Sequence, residues 1–170
     1  MIYLSADNVP PIEPVGVQEV RTFLSMSDGD DSEDHFLSSA IAQVRESIEA
    51  LVPLWLAKRM IVANFCSAPV ITVRGSIAAL YSVYGFTADG DEDITQECTM
   101  RISAGSTRIH IPDYTKYDSV EVTFYPEPYF SESLNLAVLI GVRNLYQNRE
   151  LNPVNDEVRR LIEPYLAVNI

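Results

Sequence analysis

The sequence predicts an α+β fold that is mainly α: a helical bundle with an antiparallel β insertion between the second helix and the long penultimate helix. Apolar residues recur at helical spacing over residues 17–52 and again over 131–162. The stretch between them, about 59–125, is rich in β-branched and aromatic residues that alternate. With 170 residues, 47% of them hydrophobic, the chain is long enough for one well-packed core, so we expect residues 1–170 to form a single domain.

The N-terminal part begins with an arm and two helices. The segment "NVPPIEPVG" contains three prolines and is expected to be extended. A short helix is predicted from about Val17 to Met26. After the break "SDGDD", a second helix is predicted from about Ser32 to Val52. Its apolar face is formed by residues spaced by three and four: Leu37, Ile41, Val44, Ile48 and Leu51.

The middle of the chain alternates as β-strands do. In "MRISAGSTRIHIP" apolar residues alternate on both sides of the turn "AGS", which predicts a hairpin: Met100, Ile102, Ile109 and Ile111. In "SVEVTFY" one strand face is apolar: Val120, Val122 and Phe124. The segment "TADGDEDITQE" is expected to be an acidic loop.

Two more helices are predicted after "PEP". Ser131 or Ser133 is expected to cap a long helix that ends at about Glu150. Gly141 inside this helix costs about 1 kcal/mol relative to alanine, which indicates close packing at that position. A short last helix is predicted from about Asp156 to Ile162, and the tail "PYLAVNI" follows it.

Charge and hydropathy exclude two classes of partner. The chain carries 24 acidic and 12 basic residues, a net charge of -12, which repels the phosphate backbone and is compatible only with DNA that passes without binding. The longest apolar run, Leu136 to Val142, is far shorter than the roughly 20 residues that span a bilayer. The N-terminus shows no secretory signal, and Cys66 and Cys98 match no metal or redox spacing. We therefore expect a soluble protein with two reduced cysteines and no membrane partner.

The acidic segments do not complete a calcium loop. Asp28 and Asp30 have the spacing that opens such a loop, but Glu33 and Ser39 occupy the positions that require glycine and glutamate. The segment "DGDED" fails in the same way. The first acidic segment is better explained as a helix N-terminus, with Asp30, Asp31 or Ser32 as the cap. We predict no metal and no cofactor.

No motif for nucleophilic catalysis is present. The two histidines, His35 and His110, are predicted to lie on the surface, in a first helical turn and on an outward strand face. The chain has no G-x-S-x-G elbow and no phosphate-binding glycine motif. Catalysis by a pair of carboxylates that folding brings together remains an alternative, because the sequence does not single out any one pair. The sequence thus predicts no catalytic residues and no enzyme.

The long apolar helix ends in the polar cluster "RNLYQNRE", residues 143–150. Such a cluster is either an ordinary helix end meeting water or a contact with another protein. Its last six residues, "LYQNRE", resemble the "LYENRE"-type ending of head–tail connector (adaptor) proteins of long-tailed phages. The opening "PIEPVGVQEVRTFLSMSDGDDSEDHFLSSAIAQVRESIE" resembles that family's order of a proline, a short helix, an acidic break and a helix. Gln147 stands where the family often has glutamate, and residues 78–116 are longer than in compact members.

The resemblance implies a structural virion protein at the neck, assembled in the host cytoplasm. Such proteins form a homo-oligomeric ring, commonly of twelve copies, which binds beneath the portal. The ring extends the DNA channel toward a stopper or tail-completion protein during genome packaging and ejection. The partners expected from the resemblance are the portal, neighbouring copies and the stopper, with DNA passing through unbound.

Two groups of residues are predicted to make these contacts. The helix-end motif is expected at a subunit interface: Leu145, Tyr146, Asn148, Arg149 and Glu150. The C-terminal segment is expected to dock on the portal, as it does in the family, through four apolar residues: Tyr165, Leu166, Val168 and Ile170. Packing of that segment on the protein's own core is the alternative. Other readings of the whole chain are a stopper or tail-completion protein and, as the weakest, a metal-dependent enzyme using acidic residues.

Overall fold

The computed structural model describes residues 2–5, 11–27, 31–103, 105–147 and 152–166, with the backbone alone for residues 2–5. The chain divides into two compact units. A β unit contains residues 1–12 and 58–128, and a helical unit contains residues 13–57 and 129–170. Each unit is therefore built from segments that are distant in the sequence.

The described part of the helical unit has four α-helices: α1 (Val17–Phe23), α2 (Asp34–Glu49), α3 (Glu132–Gln147) and α4 (Asp156–Ile162). Helix α3 packs against α2 and α4. The predicted apolar face of α2 is confirmed at four fully buried positions: Leu37, Ile41, Val44 and Ile48. Leu51 lies beyond the end of α2 and is 39% exposed, because the helix ends at Glu49 rather than near Val52.

Helix α2 begins later than the sequence predicts. A 3₁₀ turn, Asp31–Glu33, precedes it, and the N-cap residue Glu33 makes no side-chain capping bond. Asp31 and Ser32 lie inside this turn, and Asp30 lies outside the described residues. The buried guanidinium of Arg21 donates to the Asp34 carboxylate at 2.7 Å, so this acid joins α1 to the start of α2.

The described residues of the β unit form two antiparallel sheets. The larger has the strand order β1-β2-β8-β4-β5, and the smaller has the order β3-β7-β6. The strands are β1 (Ile2–Ser5), β2 (Ile61–Cys66), β3 (Val70–Arg74), β4 (Ile77–Thr87), β5 (Gly90–Asp93), β6 (Thr99–Ser103), β7 (Ser106–His110) and β8 (Ser119–Pro126).

The predicted hairpin is confirmed as β6 and β7, with Ser103 opposite Ser106. The apolar face predicted for "SVEVTFY" is confirmed in β8, where Val120, Val122 and Phe124 are fully buried. The segment predicted to be an acidic loop instead contains β5, which pairs with β4 from Thr87↔Gly90 onward. As an edge strand, β5 has one unpaired side, which tolerates an acidic sequence.

The prediction of a mainly α helical bundle with a β insertion is wrong. Among the described residues the eight strands contain about as many residues as the four α-helices. The β segment buries its own apolar residues, including Ile71, Val83, Ile94 and Ile109. It forms a compact unit with two sheets rather than a decoration on a bundle.

None of the helices in the described residues has the length and apolar character needed to cross a bilayer.

Cys66 and Cys98 are both free thiols. Burial, followed by the charges of Glu97 and Asp93, raises the pKa of the Cys98 thiol to about 11.

Candidate functional site

The described part of the helix-end motif lies at the C-terminus of α3. Leu145 and Tyr146 are partly buried and pack against the core of the helical unit. The Tyr146 hydroxyl donates to the Glu33 carboxylate in the 3₁₀ turn before α2. Asn148, Arg149 and Glu150 lie outside the described residues. The end of α3 is thus held against the start of α2 by a tyrosine that is only partly covered.

An open groove of about 480 Å³ lies between these two elements. Its lining includes Leu145 and Tyr146 of α3, Glu33 of the 3₁₀ turn, and four residues of α2: Phe36, Ser39, Ala40 and Gln43. Phe36 is 47% exposed, and its ring centre lies 6.1 Å from that of Tyr146. The groove therefore combines exposed aromatic surface with polar lining groups, as protein-binding surfaces do.

Polar contacts also hold α4 and the C-terminal part of α3, which carries the groove residues Leu145 and Tyr146. Arg143 donates to the Glu157 carboxylate at 2.6 Å. The Asn155 side chain caps α4 by accepting from the backbone amides of Glu157 and Val158. The predicted bounds of α4 are confirmed, because the helix extends from Asp156 to Ile162. The Asn155 cap determines where it begins, and Val158 and Ile162 are its buried apolar residues.

The structure places the described part of the predicted portal-docking segment on the helical unit itself. The Tyr165 hydroxyl lies 2.7 Å from Ser131 Oγ, and its ring packs edge-on to Tyr129 at 5.8 Å. Leu166 is partly buried against the same core. Val168 and Ile170 lie outside the described residues. For Tyr165 and Leu166, packing on the protein's own core is the arrangement observed.

Sequence reasoning missed a buried ionic network in the helical unit. Arg45 of α2 is 1% exposed and bonds Glu13 at 2.9 Å and Glu49 at 3.1 Å. Glu49, also 1% exposed, accepts from the backbone amides of Leu56 at 2.7 Å and Ala57 at 3.3 Å. Burial alone would lower the pKa of Arg45, but the bond to Glu13 and the charges of Glu49 and Glu46 raise it above its ordinary value.

This network has a structural role, since it fixes three segments of the helical unit. Glu13 lies at the start of the unit, Arg45 lies on α2, and residues 56 and 57 follow α2. The signal in the sequence was the pair Arg45 and Glu49, four residues apart and next to the buried positions Val44 and Ile48.

The β unit carries a second polar contact of interest. Tyr117 packs its ring on Gly85, where an added Cβ would lie 2.4 Å from Tyr117 Cδ1. Its hydroxyl donates to Glu92 of β5 at 2.9 Å. Loss of solvation, the bond to Glu92 and neighbouring carboxylates raise the pKa of Tyr117 to about 12. This tyrosine therefore links the acidic edge strand to the interior of the β unit.

The acidic segments and the histidines can be placed as well. Asp93 accepts from the backbone amide and the hydroxyl of Thr95, and these bonds lower its pKa. Within the described residues no three His, Cys, Asp or Glu side chains are grouped to hold a metal ion. His35 and His110 are exposed, as predicted.

The chain matches solved structures over its full length. The chain is similar to one in the neck of an empty GTA particle computed with C6 symmetry, with a TM-score of 0.79 and 19% identity over 100% of this chain and 97% of that one. It is similar to one in the virion of a native gene transfer agent (GTA) particle, with a TM-score of 0.77, 19% identity and the same coverage. A third lies in the neck of a native GTA particle computed with C12 symmetry, with a TM-score of 0.71, 18% identity and the same coverage.

These matches show the fold of the chain. No family model and no curated protein matches the sequence. The fold shared with neck chains agrees with the resemblance to head–tail connector proteins that the helix-end motif indicates. The similarity includes the β unit as well as the helices, because it covers 100% of this chain.

Proposed function

We propose that this chain is a structural protein of a virion neck, located at the head–tail junction. It forms a ring beneath the portal, joins the head to a stopper or tail component and extends the DNA channel. The observation that carries the proposal is the full-length fold match, at a TM-score of 0.79, to a chain in the neck of a GTA particle. GTA particles are phage-like. In this role residues 1–170 act together as one adaptor, with no catalytic function.

The symmetry of the matched assemblies supports a ring of identical copies. One neck was computed with C6 and another with C12 symmetry. A chain with the same fold is suited to the same arrangement, and twelve copies would agree with the C12 case. The acidic excess of this chain, 24 acidic to 12 basic residues, suits a channel that DNA passes without sticking.

The groove at the end of α3 is the proposed contact of the helical unit with a neighbouring protein of the neck. Phe36 is 47% exposed beside the half-buried Tyr146, so an inserted apolar side chain would cover surface that one copy leaves open. Full burial of one large apolar side chain contributes about 1.5–3 kcal/mol, and a ring repeats that contribution in every copy. The remaining motif residues, Asn148, Arg149 and Glu150, are proposed to complete this contact.

The groove can be tested with two exposed phenylalanines of the helical unit. Phe36 lines the groove, whereas Phe130 is 67% exposed and is not among the lining residues. Phe36→Ala should reduce the fraction of the chain that cosediments with portal rings or with rings of itself. Phe130→Ala should leave that fraction unchanged. Equal cosedimentation of both variants with the unchanged protein would remove the groove from the assembly contacts.

We propose different roles for the two pairs of apolar residues in the C-terminal segment. Tyr165 and Leu166 hold the segment on the helical unit, as their contacts with Ser131, Tyr129 and the core indicate. Val168 and Ile170 are proposed to reach the portal. Replacing both by serine should leave thermal stability unchanged and prevent attachment to portal-containing heads. Leu166→Ser should instead lower stability; if Val168 and Ile170 prove dispensable for attachment, this docking role is wrong.

A further inference from the structure

The outward face of the three-stranded sheet is basic in a chain that is otherwise strongly acidic. The strand register places Arg108 of β7 directly opposite Arg101 of β6. His110 of β7 lies one pair further along the same face, opposite Thr99. All four side chains are exposed, and they border a shallow depression of about 410 Å³ together with Val70 and Met100.

This positive charge is not compensated within the copy. Neither Arg101 nor Arg108 forms an ion pair with any residue in the described part of the chain. The remaining outward positions are uncharged on β6, where Thr99 and Ser103 flank Arg101. Two arginines directly opposite each other repel, which is an unfavourable arrangement for an isolated sheet. A negatively charged surface that covers the two arginines would offset this repulsion.

We propose that this basic face binds the acidic β4–β5 hairpin of a second copy of the chain. The hairpin carries four carboxylates in five residues: Asp89, Asp91, Glu92 and Asp93, all exposed. Glu92 bonds Tyr117 and Asp93 bonds Thr95 within the copy. Asp89 and Asp91 make no ion pair in the described residues, so their charges are available to a neighbour.

The arrangement of the two surfaces allows each arginine to pair with one carboxylate. Residues directly opposite on antiparallel strands have Cβ atoms about 4.5–5.5 Å apart, which sets the separation of Arg101 and Arg108 at their bases. Asp89 lies in the turn between β4 and β5, and Asp91 lies in β5 two residues later, so both belong to the same end of the hairpin. Arginine side chains are long, and each can bind a carboxylate with two parallel hydrogen bonds.

The contact would be head-to-tail, since each copy offers one basic face and one acidic hairpin. Contacts between two different surfaces generate closed rings when the rotation between copies closes. The inference rests on the proposed ring and adds the surfaces of the β unit that hold adjacent copies together. It also explains why a chain with twice as many acidic as basic residues keeps two opposed arginines on one exposed face.

Charge reversal in the full chain tests the contact. Arg101→Glu/Arg108→Glu should weaken self-association, measured by sedimentation velocity at low salt, by about tenfold or more. Adding Asp89→Arg/Asp91→Arg to that variant should restore association, because both partners are then reversed. Lys58→Glu/Lys116→Glu makes the same change of net charge elsewhere in the β unit and should have little effect. A photo-crosslinking residue at Thr99 should form crosslinks to residues 87–97 of another copy.

Each of the following outcomes would contradict the proposed contact between the basic face and the acidic hairpin. Rings that form equally well with the reversed and the unchanged chain would exclude this contact and leave the neck role standing. Crosslinks to another region would assign the face to a different surface. Binding of a labelled DNA duplex that is lost in Arg101→Glu/Arg108→Glu would assign it to nucleic acid. An unchanged chain that neither self-associates nor joins portal-containing particles would contradict the neck role itself as well as this contact.

Discussion

Gly141 of α3 lies directly against Val44 of α2: a Cβ added to Gly141 would be 2.5 Å from Val44 Cγ1. The glycine thus permits the close approach of the two helices that form the centre of the helical unit. The prediction that Gly141 serves close packing is confirmed. In an exposed helix alanine would be more stable than glycine by about 1 kcal/mol, so packing outweighs helix propensity at this position.

Gly141→Ala should therefore destabilise the protein, by about 1–3 kcal/mol for an overpacked core. Val44→Ala in the same chain should recover part of this loss, since it removes the methyl group that clashes. Ser133→Ala, on the exposed side of α3, should change stability by less than about 0.5 kcal/mol, because the helix begins at Glu132 and Ser133 therefore does not cap it. Urea unfolding of the two single variants and the double variant gives the coupling free energy; a coupling near zero would mean that the helices adjust without contact between these residues.

Arg45→Ala and Arg143→Ala make the same change in two helices of one unit. Arg45 is buried with Glu13 and Glu49, so its removal should cost about 3–5 kcal/mol by leaving carboxylates buried without their cation. The Arg143–Glu157 pair is exposed, and its loss should cost less than about 1 kcal/mol. Thermal unfolding of both variants measures the difference. Similar losses in the two variants would show that the Arg45 network does not hold the unit together.

Burial of the Tyr117 hydroxyl, together with its bond to Glu92, predicts a dependence of stability on alkaline pH. The folded state raises the pKa of Tyr117 from 10.0 to about 12, so its stabilising contribution is complete below pH 10 and is lost as the pH rises toward 12. Tyr117→Phe should cost about 1 kcal/mol at neutral pH through the lost hydrogen bond. The difference in stability between the two proteins should shrink over that alkaline window. A constant difference would mean that Tyr117 ionises as an ordinary tyrosine.

Arg101→Glu alone should raise the stability of the isolated chain. The glutamate would face Arg108 across the strands and replace a repulsive pair by an attractive one, which contributes roughly 0.2–1 kcal/mol. Arg160→Glu in the last turn of α4 should instead lower stability by a few tenths of a kcal/mol, because it opposes the helix dipole. Thermal unfolding at low salt measures both effects. A destabilised Arg101→Glu variant would mean that the guanidinium of Arg101 is compensated within one copy.

Local signals in the sequence predicted local structure well. Asn155 caps α4 directly before its apolar positions, and the turn at Gly105, which has a positive φ of 75°, joins β6 to β7. Both elements are determined by residues that are neighbours along the chain. Their existence and approximate bounds could therefore be read without knowledge of the rest of the fold.

The relative amounts of helix and strand could not be predicted from local signals in the same way. Strand β2 is flanked by β1 and β8, which lie at opposite ends of the β unit's sequence. Such pairing depends on residues far apart, and the short strands β2 and β3 give little periodicity of their own. The acidic sequence of β5 also argued against a strand, although an exposed edge tolerates it.

The candidate site was predicted in part. The sequence pointed to Leu145 and Tyr146 at the end of α3, and the structure adds the partners that form the groove with them, Glu33 and Phe36. Those two residues precede Leu145 by more than a hundred positions, so no local pattern connects them. The Arg45 network was missed for the same reason, because Glu13 meets Arg45, and residues 56 and 57 meet Glu49, only after folding. The basic sheet face was within reach of the sequence, because Arg101 and Arg108 lie on the two strands of the predicted hairpin, but their pairing depends on the exact register of its turn.

The position of this chain in the neck can be observed by cryo-electron microscopy of particles assembled with a tagged copy of it. We predict density for this fold repeated around the DNA channel, in a closed ring next to the portal. The helical unit and the β unit should both be part of that ring. If the chain is found as a single copy, away from the head–tail junction, or is absent from particles that carry a complete neck, it is not a ring protein of the neck.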